Sequence, residues 1–159
     1  MAPDASAPVV DMTFIAAGPS GPFGVFQSSL CKMMVRVIDN RPRACGPLTA
    51  LYPWTMVYDV AGHPAILAPE FKADLGPIRA WGVEAVGQRY AEVNGRMETN
   101  LAGVHAASDI TSQEGVDPLN LIVVGFGQAT LAVNDAYAPI KPGGKVFPGH
   151  SSERVISGH

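Results

Sequence analysis

The chain has 159 residues, of which 47% are hydrophobic and 16% charged, and its formal net charge is −3. That length fits one domain with a short arm. The negative balance excludes a nucleic-acid binder working through a basic surface, and two cysteines exclude a disulfide scaffold.

Residues 1–8 carry two prolines and three alanines without a hydrophobic period, which predicts an extended arm. The amino terminus has no basic stretch followed by an unbroken apolar one, so it does not read as a secretion signal. No apolar run approaches the ~20 residues of a membrane span. Residues 9–17 form a short apolar strand candidate. Gly18-Pro19-Ser20-Gly21-Pro22 is expected to be a loop, because proline cannot donate to a ladder. Ser20 does not sit in a nucleophile elbow, since the following glycine comes one position early.

Residues 32–38 alternate with period two and predict a strand. Asp39-Asn40-Arg41-Pro42 ends it with turn residues. Arg36, Arg41 and Arg43 form a small basic cluster there, either a solvated strand end or a contact for an acidic surface. Residues 55–60 are a second strand candidate, leading through Gly62 into a hairpin with 65–67.

Residues 78–101 support two readings. Val86, Tyr90, Val93, Met97 and Leu101 step by three and four like a helical stripe. Gly82, Gly87 and Gly95 each cost a helix about 1 kcal/mol, and Asn94-Gly95 is a strong hairpin signal. Strands are favoured. Residues 103–119 read as a polar connector. Residues 119–133 are apolar on both faces, which predicts a strand buried on both sides, with Gly125 and Gly127 marking a bulge or a close approach. Residues 148–159 read as a polar tail. Trp54 and Trp81 read as core or interface anchors.

The fold expected from these elements is mainly β. It is a small barrel or sandwich over residues 18–147, with an arm at 1–17 and at most one or two short helices. The alternative is an α+β fold with one long helix over 83–101.

Little in the sequence carries chemistry. Gly125-Phe126-Gly127 resembles the start of a dinucleotide loop but lacks the third glycine, and a strand pattern follows it. His63, His105, His150 and His159 include no pair at ligand spacing, and no cysteine pair accompanies them. The carboxylates are scattered. Cys31 and Cys45 read as free thiols. Catalytic, cofactor and metal residues are therefore expected to be none.

One pattern suggests a family. Val124-Gly125-Phe126-Gly127-Gln128-Ala129-Thr130-Leu131-Ala132-Val133 followed by Pro139-Ile140-Lys141-Pro142-Gly143-Gly144-Lys145-Val146 resembles small β-barrel modules of phage structural proteins, including capsid decoration (cement) proteins. Val57-Tyr58-Asp59-Val60-Ala61-Gly62 is similar to a hairpin of those modules, and Ile78-Arg79-Ala80-Trp81-Gly82-Val83 to a strand. The resemblance implies a non-enzymatic virion protein, assembled in a host cytoplasm and bound as a homotrimer to a major capsid protein, with no cofactor, nucleic acid or membrane. Its partner-binding residues would be Val9, Val10, Met12 and Phe14 in the arm, with Arg36, Arg41 and Arg43. Two other functions fit the residues: a ligand-binding or enzymatic α+β barrel oligomer, and a subunit of a cellular complex.

Overall fold

A computed structural model describes residues 8–15, 18–39, 75–87, 89–113, 116 and 119–144. The expected strand at 55–60, its hairpin, Trp54, Cys45, Arg41, Arg43, His63, His150, His159 and the tail at 148–159 lie outside them.

The first unit is strand, helix, strand. Strand β1 (Met12–Ile15) pairs in parallel with β2 (Val35–Ile38), Met12 opposite Val35 and Ile15 opposite Ile38. Helix α1 (Ser20–Leu30) connects them. The expected loop at 18–22 therefore ends inside a helix. Its sequence is a poor helix former, with Gly21, Pro22, Gly24, Ser28 and Ser29, so packing rather than local propensity holds it. Pro22 is tolerated in the first turn, where its missing N–H costs no helical bond. The serines turn inward on the helix itself: the Ser28 hydroxyl donates to the Gly24 carbonyl at 2.8 Å and that of Ser29 to Val25 at 2.9 Å.

The second unit is a three-stranded sheet in the order β3 (Ala85–Val86), β4 (Tyr90–Val93), β5 (Thr111–Gln113). β3 runs antiparallel to β4, and β5 parallel to it. The strand reading at 90–93 agrees with this arrangement, and the alternative helix over 83–101 is not formed. β5 lies inside the expected polar connector, where Thr111 and Ser112 are buried. A 3₁₀ turn at Gly76–Trp81 precedes the sheet. Trp81, expected to be an anchor, is 51% exposed on that turn.

Helix α2 (Ile122–Ile140) joins the two units. It replaces the strand expected over 119–133. An apolar run with two apolar faces does not separate a buried strand from a buried helix; its length favours the helix. The buried positions are Gly125, Ala129 and Val133, one every four residues. α2 packs along α1 and against a 3₁₀ turn at Ser108–Ile110. Gln27 Nε2 donates to Asn134 Oδ1 at 3.2 Å across the two helices. No helix among the described residues is long and apolar enough to cross a membrane.

Among the described residues, two apolar clusters form the core. Cys31, Met33 and Val133 are surrounded by Met12, Phe14, Val35, Tyr137 and Ile140. Leu75, Val83 and Ala91 are surrounded by Ile78, Ala85, Leu101, Ala106 and Ile110. Lys141 at the end of α2 pairs with Asp11 at 3.3 Å, which ties the helix to the start of β1.

Candidate functional site

Three segments of distant sequence meet at Gly125 in the first turn of α2. A β-carbon there would collide with Ser20 Oγ, and would lie 2.9 Å from Ser108 Oγ and 3.3 Å from Ser108 Cβ. Only glycine lets the three approach this closely. Ser20 opens α1, and its hydroxyl is buried without a hydrogen-bond partner among the described residues. Ser108 opens the 3₁₀ turn with φ at +73°. A non-glycine residue there costs about 1–3 kcal/mol, a strain that concentrates at functional sites.

The strained turn is held from two sides. Ser108 N–H donates to Gln128 Oε1 of α2 at 2.7 Å. The Thr111 hydroxyl donates to the Ser108 carbonyl at 2.8 Å. Asp109 follows in the same turn, half-buried.

Electrostatically the meeting point favours an anion. Neither α1 nor α2 has a side-chain hydrogen bond at its N-cap. Two first turns thus come together without caps, each carrying the partial positive charge of a helix N-terminus. Such ends bind phosphate groups through backbone N–H. Phe23 of α1 stacks on Phe126 of α2, with centroids 4.5 Å apart and planes 10° from parallel. The stack fixes the two helices beside each other.

The first unit carries most of a dinucleotide-binding fingerprint. A strand, a glycine-rich turn, a helix and a parallel strand follow in order. Gly18 and Gly21 occupy two of the three fingerprint positions, and Ala16 stands where the first glycine is usual. Gly24 supplies close helix-to-strand packing: a β-carbon there would lie 2.5 Å from the Phe14 ring. Asp39 follows β2, about 20 residues past the glycines, where a carboxylate accepts from ribose hydroxyls. The glycines, the buried Ser20 hydroxyl and the Gly125 approach fit a pyrophosphate; the substitution at Ala16 is the one departure.

Of the two glycines singled out in the sequence, Gly125 makes a close approach, in a helix rather than a strand. Gly127 has nothing within 4 Å of a β-carbon position and lies within α2 rather than in a loop. The usable signal was Gly18-x-x-Gly21 between the strand candidates at 9–17 and 32–38, and the missing first glycine concealed it. Of the expected partner-binding residues, Arg41 and Arg43 lie outside the described residues. Val9 is 90% exposed and Val10 half-buried. Met12 and Phe14 pack into the core. Arg36 is exposed and donates to the Pro8 carbonyl at 3.1 Å.

No family model matches the chain. A ferredoxin–NADP reductase of Sulfurisphaera tokodaii is 54% identical over 88 residues, which is 55% of this chain and 26% of that protein. Ferredoxin–NADP reductase 1 of Sulfolobus acidocaldarius is 52% identical over the same shares. The enzyme of Symbiobacterium thermophilum is 47% identical over 89 residues, 56% of this chain and 26% of that one. The chain thus spans about a quarter of the length of the curated relatives it matches. Among solved structures, an NADH:rubredoxin oxidoreductase from Clostridium acetobutylicum is 21% identical with a TM-score of 0.39, over 74% of this chain and 27% of that one.

Relatives named as redox enzymes at about half identity overturn the capsid-decoration reading. With it go the virion location, the capsid partner of the expected trimer and the non-enzymatic role. The misleading pattern was glycine and proline placement at chain corners, which many folds share. Of the readings weighed from sequence, the enzymatic alternative is the one these relatives favour.

Proposed function

We propose that this chain is the dinucleotide-holding part of an oxidoreductase of the ferredoxin–NADP reductase kind. The observation that carries the reading is the convergence of Ser20, Ser108 and Gly125 at two uncapped helix starts, next to a strand–helix–strand unit with the glycines of a dinucleotide turn. The 54% identity to a named ferredoxin–NADP reductase supports the same reading.

The proposed activity passes electrons between a nicotinamide and an iron–sulfur protein. A flavin adenine dinucleotide, when bound, supplies a group that exchanges hydride with a nicotinamide. The chain's own residues bind and orient. The first turns of α1 and α2 receive the pyrophosphate through backbone N–H groups. Asp39, just past β2, would accept from a ribose hydroxyl. Ser20 Oγ, without a hydrogen-bond partner among the described residues, gains one.

The test loads the purified full chain with flavin adenine dinucleotide and adds NADPH without oxygen. Loss of the flavin's visible absorption, with electrons passed on to added ferredoxin, is the expected result. A chain that holds no dinucleotide would overturn the reading.

A further inference from the structure

We propose that Glu98, His105 and Asp135 form a binding site for a divalent transition-metal ion, separate from the dinucleotide site and independent of that reading. One ligand atom from each lies within 4.8 Å of the other two. All three residues are half-buried.

The fold places the three deliberately close. A tight turn closes between Thr99 and Val104, whose carbonyl accepts from Thr99 N–H at 3.0 Å. Ala106 N–H donates to the Met97 carbonyl at 3.1 Å. Glu98 and His105 therefore sit opposite each other in an antiparallel bridge, and directly opposed side chains share one face. His105 Nε2 then reaches Asp135 Oδ2 on α2 at 3.0 Å.

That geometry suits a metal. Neighbouring ligand atoms around a tetrahedral zinc ion lie about 3.4 Å apart, given bonds of about 2.0–2.2 Å. The His105–Asp135 pair is already near that spacing, and a Glu98 carboxylate oxygen lies within 4.8 Å of both. Each carboxylate has a second contact that orients it. Asn94 Nδ2 donates to Glu98 Oε2 at 2.7 Å, and Arg96 pairs with Asp135 Oδ1 at 3.5 Å. Such outer contacts fix metal-ligating groups. Glu98 also lines a pocket with Glu84 and Glu92, which adds negative charge on that side of it. One imidazole and two carboxylates leave open coordination positions for water or an added ligand.

The ion would join the hairpin of the second unit to α2, whose first turn bounds the anion site.

The test titrates chelator-treated full chain with zinc by calorimetry and with cobalt by visible absorption. One ion per chain is expected, with a ligand-field band for cobalt. Glu98→Gln and His105→Asn, each checked for folding by circular dichroism, should weaken zinc binding at least about tenfold. No saturable binding, or equal affinity in wild type, Glu98→Gln and His105→Asn, would overturn the site; equal affinity would assign the ion to other residues of the chain.

Discussion

Gly125→Ala probes the convergence most sharply, because two known effects oppose each other there. In an open helix the change adds about 1 kcal/mol of stability. Here the new methyl meets Ser20 Oγ, and lies 2.9 Å from Ser108 Oγ and 3.3 Å from Ser108 Cβ. The two hydroxyls can rotate away; Ser108 Cβ moves only with the backbone of a turn held by Gln128 and Thr111. Overpacking of this kind costs about 1–3 kcal/mol. The net expectation is a loss of about 1 kcal/mol, read from the urea midpoint at unchanged slope. Ser20→Ala alone should be neutral or slightly stabilising, since it removes a buried hydroxyl that has no partner among the described residues. In the Ser20→Ala background, Gly125→Ala should lose less, with a coupling of at least about 0.5 kcal/mol. A Gly125→Ala variant more stable by about 1 kcal/mol, with effects additive to Ser20→Ala, would refute the close approach.

Other outcomes follow from the same structure. Leu75→Ala empties a side chain that is 2% exposed in the second cluster, and should cost about 2–5 kcal/mol in chemical unfolding. Ser108→Gly relieves the positive φ and should stabilise the chain by up to about 1 kcal/mol, raising the melting temperature by about 2–4 °C; a lower melting temperature would count against strain at this turn. Asp11 accepts from Met34 N–H at 2.8 Å and also faces Lys141, and these contacts, the backbone bond first, hold its carboxyl below the ordinary value of 3.8. A depressed folded-state value means the contribution is complete above the ordinary carboxylate range and is lost as pH falls below it. Asp11→Asn should therefore narrow the stability gap to wild type on acidification, as measured by unfolding across pH.

Short-range patterns were legible where local chemistry decides. Period-two alternation located β2, and Tyr90–Val93 is a strand that ends at the Asn94-Gly95 turn. The helices were hidden because neither depends on local preference. α1 is built from Gly, Pro and Ser and is held by Phe14 beneath Gly24 and by α2 alongside. α2 has small residues at 125 and 129 and apolar residues on its exposed face, including Val123 and Leu131 at 48% each. Its sequence therefore shows no polar side to reveal a 3.6 period. The sites were hidden for a different reason. Ser20, Ser108 and Gly125 are spread over three segments, and Glu98, His105 and Asp135 have no ligand spacing in sequence. Only the hairpin at 97–106 and the packing of α2 bring them together.

The measurement that bears most directly on the central claim is the stoichiometry of flavin adenine dinucleotide bound by the full chain, by equilibrium dialysis, for wild type and Gly125→Ala. The account predicts one dinucleotide per wild-type chain and binding at least about tenfold weaker in the variant, because accommodating the methyl displaces the two helix starts from each other. No saturable binding to the wild type, or equal binding by both, would contradict it.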